Sequence, residues 1–262
     1  MLMIQPDVGY HNEFSECRYA PIWGRHVTTS SIKTVDMIAE SLLNRLNSGE
    51  FSQGRLPAER RLSEEYSTTR ITLREALALL EARGKIYREL RRGWFIAPPR
   101  LVYNPLLRSH FHEMAALQGR EAQTEVISAN EIPATPLLAQ QLSVAQGENL
   151  YCIRRLRRID GRAVLYVEHY LNPAFFPGLL QEDLTRSLTE LYEKLYNIRY
   201  GGVRFTVLPG PLPAFSAPAL NVASGSPGIC ITRINQNQHR QVIDCDYEYW
   251  RYDALCVDVE VS

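Results

Sequence analysis

The sequence lacks the features that would place it in a membrane or outside the cell. No apolar run in its 262 residues approaches the roughly 18 residues that a membrane-spanning helix needs. The N-terminus has no basic stretch followed by an apolar block, so no signal peptide is expected and the cytoplasm is the expected compartment. The five cysteines are scattered and form no Cys-x-x-Cys pair, which argues against a disulfide framework and against a zinc site. We therefore expect neither a metal nor a cofactor.

The sequence also lacks a net charge, with 29 basic and 29 acidic residues, but its charge is unevenly distributed. Residues 31–100 carry 13 Lys and Arg against nine Asp and Glu, whereas residues 101–262 carry 14 against 17. A small basic module ahead of a larger, mildly acidic one indicates that only the first module contacts a polyanion. A hydrophobic content of 45% excludes a chain that is disordered throughout.

The basic module has the pattern of three helices followed by a hairpin. Residues 1–30 show no period and are expected to form a poorly ordered extension. Three helices are predicted: the first covers residues 32–48, the second begins at Pro57, and the third ends at about Arg83. Two short strands then surround Leu90-Arg91-Arg92-Gly93. In the third helix, the apolar residues are Ile71, Leu73, Ala76, Leu77 and Leu80. This layout predicts a winged helix-turn-helix over residues 31–97, followed by a linker over 98–104 that begins with two prolines.

Residues 56–77, LPAERRLSEEYSTTRITLREAL, resemble the DNA-binding domain of the GntR family of bacterial transcription regulators. The resemblance implies that the third helix enters the major groove, where arginine can bind guanine and threonine can bind phosphate or touch a thymine methyl group. Many relatives have a second glycine in the wing, where this chain has Arg91. A solvated basic helix on an interaction domain is the alternative. The expected DNA-binding residues are Arg60, Thr69, Arg70, Thr72, Arg74, Arg91, Arg92 and Gly93.

The second module, residues 105–262, is predicted to be α+β. Its strongest local signal is Asp160-Gly161 between two strand-like segments, which predicts a hairpin. The segment LYCIRRLRRIDG, followed by Glu168-His169-Tyr170-Leu171, resembles the UTRA effector domain of the HutC subgroup. That resemblance implies a fold similar to chorismate lyase, effector binding, and dimerisation through this domain.

A two-residue turn at Asp160-Gly161 fixes which residues face each other across the hairpin. It places residue 157 opposite 164, residue 155 opposite 166 and residue 153 opposite 168. Alternation then puts Arg155, Arg157 and Glu168 on one face, where two guanidinium groups beside a carboxylate form an anion clamp.

Two further segments are candidates for the effector site. Ser109, His110, Phe111 and His112 are expected to open a helix, and the resemblance assigns the matching stretch to the acid or phosphate end of the effector. Asp244, Asp246 and Glu248 alternate along one predicted strand with Trp250 and share a face. That face is either solvated or forms a pocket wall for an ammonium group.

The whole chain resembles regulators of operons for 2-aminoethylphosphonate degradation. The resemblance implies a transcription regulator that controls uptake or degradation of phosphonates. It implies a homodimer on a pseudo-palindromic operator in double-stranded DNA, with 2-aminoethylphosphonate or a related phosphonate as effector. A HutC-type sensor of a sugar phosphate or a urocanate-like acid is the main alternative. A chorismate-lyase-like enzyme is a remote one, because no nucleophile–base pair stands at motif spacing.

Overall fold

The computed structural model describes residues 29–51, 53–105 and 110–260, so the extension expected at residues 1–30 lies almost wholly outside it. Within the described residues the chain is α+β, as predicted. The helices are α1 Thr29–Asn47, α2 Glu59–Glu65, α3 Arg70–Ala82, α4 Phe111–Ala116, α5 Pro136–Leu142 and α6 Leu188–Tyr196. The strands are β1 Ile86–Glu89, β2 Gly93–Ile96, β3 Leu101–Tyr103, β4 Ala122–Pro133, β5 Asn149–Ile159, β6 Arg162–Leu171, β7 Tyr200–Pro211, β8 Pro227–Asn237, β9 Val242–Arg251 and β10 Leu255–Val257. No described helix is both long and apolar enough to cross a membrane.

The N-terminal domain is a bundle of α1, α2 and α3 with a two-stranded hairpin, and the predicted winged helix-turn-helix is confirmed. Leu42 of α1, Leu62 of α2 and Leu77 of α3 are fully buried in its core together with Ile86 and Trp94 of the hairpin. The core forms because apolar residues recur at helical spacing along the facing sides of the helices. Strands β1 and β2 pair antiparallel, and the turn between them forms the tip of the wing.

One apolar residue of α3 lies on the surface. Leu73, Ala76, Leu77 and Leu80 are fully buried, whereas Ile71 is 71% exposed. An α-helix advances by about 100° per residue, so Ile71 points roughly 170° away from the mean direction of the four buried residues. The place of Ile71 on the helix therefore makes it a surface residue although it is apolar.

The C-terminal domain is built on a six-stranded antiparallel sheet in the order β4-β5-β6-β9-β8-β7. Helices α4 and α6 cover one face, and α5 and residues 212–222 cover the other. Every residue of the central strand β6 is buried because both of its faces are covered. Strand β4 was not predicted, since most of its side chains are polar or small and alternate residues of this edge strand are exposed.

A β-bulge changes the register of the hairpin formed by β5 and β6. Arg158 pairs with Ala163 as predicted, but Arg157 pairs with Leu165, which leaves Val164 as an extra residue in β6. A shift of one residue exchanges the two faces of a strand. Beyond the bulge, Arg154 therefore pairs with Glu168, and Ile153 pairs with His169.

The two domains meet through a buried cluster of charged residues. Arg162 at the start of β6 and Arg251 at the end of β9 both donate hydrogen bonds to the carboxylate of Asp253, at 2.6 and 2.9 Å from their Nη2 atoms. The guanidinium of Arg162 lies 3.6 Å from the ring centroid of Tyr87 in β1. Residues 101–103, expected to be linker, form β3 and pair in parallel with β10. The wing is thus packed directly on the C-terminal domain.

Candidate functional site

The N-terminal end of α3 is organised by a side-chain cap. Thr69 Oγ1 accepts a hydrogen bond from the backbone N–H of Thr72 at 3.2 Å, and the two threonine hydroxyl groups lie 3.0 Å apart. Such a cap satisfies amide groups that the helix itself leaves unpaired. The hydroxyl groups of Thr69 and Thr72 therefore take part in holding the first turn of the helix in place.

The two arginines predicted on α3 are both exposed, and one is fixed in position. Arg74 Nε donates to Glu59 Oε2 at 2.7 Å. The other carboxylate oxygen of Glu59 accepts from Nε1 of the buried Trp94 at 3.1 Å. Because Trp94 anchors Glu59, the guanidinium of Arg74 is held between α2, α3 and the wing, while Arg70 opens α3. The arrangement places two exposed cations in the first turns of α3, and their predicted contact with DNA stays a prediction.

Arg91, which stands where many relatives have a second glycine, lies in the turn of the wing. Arg91 has φ +62° and Gly93 has φ +99°, so both lie in the left-handed region that favours glycine. The turn therefore requires at position 91 the backbone conformation that a glycine adopts most easily. Arg92 forms an ion pair with Glu89 and Arg60 with Glu64, the latter at 3.4 Å. All three arginines are exposed.

The C-terminal domain contains a cavity of about 100 Å³ between the sheet, α4 and α6. The predicted residues His110, Phe111, His112, Arg155, Arg157 and Asp246 line it together. Arg186 and Arg233 add two further guanidinium groups, and Asp246 is the one carboxylate among the described lining residues. The cavity is therefore electropositive and suited to an anion.

Arg155, His169 and Asp246 form a buried hydrogen-bonded chain at the cavity. Arg155 donates to His169 Nε2 from Nε at 3.1 Å and from Nη2 at 2.8 Å, and His169 Nδ1 lies 2.6 Å from Asp246 Oδ1. Since arginine only donates, His169 Nε2 must accept, and the proton lies on Nδ1 and is donated to Asp246. Burial lowers the pKa of His169 to about 4, which keeps the ring neutral.

Most donors of Arg155 are already used inside the protein. Its Nη1 donates to the backbone oxygens of Leu184 and Arg186, at 3.3 and 2.9 Å. Burial, and next the charge of Arg157, lower the pKa of Arg155 to about 9. Arg155 therefore fixes the loop before α6 to the sheet more than it offers donors to a ligand.

Arg157 differs from its neighbour because it lacks such partners. Its Nε is buried without a hydrogen-bond partner in the described part of the chain, and its guanidinium lies 4.8 Å from the ring centroid of Phe111. Burial lowers its pKa to about 10, so the group remains charged at neutral pH. A half-buried cation whose Nε donor is buried and unused, a feature that Arg233 shares, most directly calls for an anionic ligand in this cavity.

Glu168 was predicted to complete the anion clamp, and this prediction is wrong. The bulge at Val164 turns Glu168 to the opposite face of the sheet, where it accepts from Arg154 Nε at 2.7 Å. His169 takes the predicted position beside Arg155 and Arg157. The sequence signal for His169 was present, since it stands next to Glu168, but it becomes visible only once the bulge is known.

The carboxylates of β9 share a face, as predicted, but protein donors hold all three. Asp246 accepts from His169, and Glu248 Oε2 accepts from Trp250 Nε1 at 2.8 Å. Asp244 accepts from Asn235 and from the hydroxyl of Tyr200, and burial together with Asp246 raises its pKa to about 8. Asp244 and Glu248 do not line the cavity. The alternative of a solvated strand face is wrong, because all three are buried.

The start of α4 contributes two histidines to the cavity rim, His110 at the cap and His112 in the first turn. His110 caps α4, its Nδ1 accepting from the N–H of Glu113 at 3.4 Å, and its Nε2 lies 3.2 Å from Glu190 Oε1. His112 Nε2 lies 2.9 Å from Thr124 Oγ1, and burial lowers the pKa of His112. Ser109 lies outside the described residues, so its expected role stays a prediction.

Arg233 was missed by the sequence reasoning. It projects from β8 into the cavity, with Nη1 donating to Glu248 Oε1 at 3.3 Å. Pairing of Arg233 with Asp246 across β8 and β9 places it on the cavity face. No motif marked this arginine, and only the strand register brings it to the site.

Comparisons with known proteins agree with this architecture. Residues 34–96 match the family of bacterial regulatory proteins called gntR, and residues 117–255 match the UTRA domain. The HTH-type transcriptional regulator YihL of Escherichia coli K12 is 34% identical over 226 residues, which cover 85% of this chain and 95% of YihL. The probable transcriptional regulator PhnF of Escherichia coli K12 is 25% identical over 74% of this chain and 79% of PhnF.

A solved structure has the same fold. The crystal structure of PhnF from Mycobacterium smegmatis matches with a TM-score of 0.59 at 23% identity, and the match covers 86% of this chain and all of that one.

Proposed function

Because this chain belongs to the GntR family of bacterial regulatory proteins and carries a UTRA domain, we propose that its effector is a small anion, namely 2-aminoethylphosphonate or a related phosphonate. The family establishes the coarser function, which is that of a DNA-binding transcription regulator. Its relatives are regulators and not enzymes, so the chorismate-lyase-like alternative is set aside. In this proposal the protein is located in the cytoplasm, and it controls genes for phosphonate uptake or degradation.

One observation carries the effector proposal, namely the half-buried guanidinium of Arg157, whose buried Nε donor is unused among the described residues. A phosphonate offers several charged oxygens, and guanidinium groups bind such oxygens in pairs. Asp246 is the counter-charge available to the amino end. The choice of a phosphonate follows the resemblance to regulators of 2-aminoethylphosphonate degradation operons.

Calorimetric titration tests this proposal. We expect wild-type protein to bind 2-aminoethylphosphonate and Arg157→Ala to bind it about tenfold to a hundredfold more weakly, because a charge-assisted hydrogen bond contributes about 1.5–3 kcal/mol. Arg158→Ala is the matched control, since Arg158 is on the same strand and pairs with Glu125 outside the cavity. Equal binding by wild type and Arg157→Ala would contradict the assigned role of Arg157.

A second effector class has an observation in its favour. The carboxylates of β9 already accept from protein donors, and arginines outnumber acids among the described lining residues. A wholly anionic ligand, such as a sugar phosphate or a urocanate-like acid, fits that balance without an ammonium partner. Titration with glucose 6-phosphate and with urocanate separates the two classes, and silence towards all three compounds would overturn an anionic effector of either class.

For operator binding, we propose that the protein acts as a homodimer joined through its UTRA domains, with two α3 helices on a pseudo-palindromic duplex. Arg70→Ala and Arg74→Ala should each weaken operator binding by about 1–3 kcal/mol, as expected for loss of a base contact. Arg83→Ala is the control, since Arg83 follows α3 at its far end and pairs with Glu40. Sedimentation of the free protein as a monomer would contradict the dimer.

A further inference from the structure

The exposed face of α3 is apolar at its centre, which is unusual for a surface that meets a polyanion. Ile71 is 71% exposed, and its side chain is directed opposite to the four buried residues of the helix. The same face carries Glu75 one helical turn later and Ala78 two turns later, and both are exposed. The arginines lie at the edge of this face, so its centre offers no cation to a phosphate.

An exposed apolar side chain is stabilised when a partner removes it from water. In the major groove the matching apolar group is the C5 methyl of thymine, the one methyl that a standard base presents there. Among the described residues of α3, Ile71 is the large apolar side chain that is exposed at the front of the helix.

From this geometry we infer that Ile71 determines operator specificity by packing against a thymine methyl group in each half-site. The inference rests on the proposed role of α3 as the recognition helix. Arg74, which Glu59 fixes at 2.7 Å, sets the register of the helix on the duplex, and Ile71 selects among base pairs at one position. Glu75 on the same face reinforces the selection, because a carboxylate is repelled by phosphates and tolerated beside base edges.

The test removes the methyl group from the DNA and the side chain from the protein independently. An operator is first selected from a random duplex pool with the full wild-type chain, and its thymines are then replaced one at a time by deoxyuridine. We expect one such replacement in each half-site to weaken binding of wild type by about fourfold, the value of one buried methyl group. The same replacement should leave the affinity of Ile71→Ala unchanged.

Met37→Ala is the matched control, because Met37 is 72% exposed but lies on α1. The replacement of thymine by deoxyuridine should weaken operator binding by the Met37→Ala variant as much as it weakens binding by wild type. Since both side chains are exposed, both variants should fold, which thermal unfolding verifies.

Three results would overturn the inference. The first is that each replacement of a thymine by deoxyuridine changes operator affinity by the same factor in wild type and in Ile71→Ala. The second is unchanged operator affinity of Ile71→Ala with an altered sedimentation coefficient, which would make Ile71 a protein contact. The third is unchanged affinity in both Arg70→Ala and Arg74→Ala, which removes α3 as the recognition helix. If Arg70→Ala and Arg74→Ala lose operator binding while Ile71→Ala gives the first or the second of these results, only this inference fails and the proposed function stands.

Discussion

His169 makes the stability of the C-terminal domain depend on pH in a way that can be isolated. Burial lowers its pKa from 6.5 to about 4, and the folded protein therefore keeps the ring neutral while the unfolded chain takes up a proton. When a basic group has a lower pKa in the folded state, the protein loses stability as the pH falls below the pKa of that group in the unfolded chain. The loss ends near the pKa of the group in the folded state. The sensitive window is thus between about pH 6.5 and pH 4.

The size of the effect follows from the pKa difference, since one unit corresponds to about 1.4 kcal/mol. Between pH 7 and pH 5 the His169 contribution lowers the free energy of unfolding by about 2 kcal/mol. Asp244 acts in the opposite direction, because its pKa is raised to about 8 and the folded state binds its proton more tightly. The measurement must therefore be a difference between two proteins that both contain Asp244.

We compare wild type with His169→Gln, whose amide does not titrate. Glutamine keeps an oxygen that can accept from Arg155 but carries no ionisable proton. The free energy of unfolding, measured in urea by circular dichroism at pH 7 and pH 5, should fall by about 2 kcal/mol more in wild type than in the variant. If the two proteins show the same change, the ring is not held neutral and the assigned direction of the hydrogen bonds around it is wrong.

Two other substitutions test contacts that stabilise the fold, one within the N-terminal domain and one where the two domains meet. Thr69→Ala removes the cap of α3 and should cost about 1 kcal/mol of stability, read as a lower melting temperature, while Thr68→Ala should cost less; equal melting would refute the role of the cap. Asp253→Asn leaves Arg162 and Arg251 buried without their carboxylate and should cost about 3–5 kcal/mol in urea unfolding, whereas the exposed Asp258→Asn should cost little. A mild effect at Asp253 would mean that water reaches the cluster.

The sequence predicted those features that local chemistry determines. The hairpin turn at Asp160-Gly161 and the winged helix-turn-helix both follow from short-range rules, and the structure has them. Local rules failed where the position of a residue depends on distant partners.

The effector site illustrates the same limit. Arg155 and Arg157 were predicted on one face and do line the cavity together. Glu168 was misplaced because nothing in the sequence marks Val164 as a bulge, and Arg233 was missed because it depends on the pairing of β8 with β9. Composition and spacing along one strand do not contain the register of its neighbours.

The extra residue Val164 decides whether an acid or a base stands beside Arg155. Within this family, a one-residue gap in an alignment at the corresponding point would exchange Glu168 and His169 while leaving both letters in the sequence. Ligand preferences transferred column by column between relatives will therefore be reliable only for proteins that share the bulge. Where it is absent, a regulator with the same motif would present an acid to its metabolite, and a different metabolite would fit.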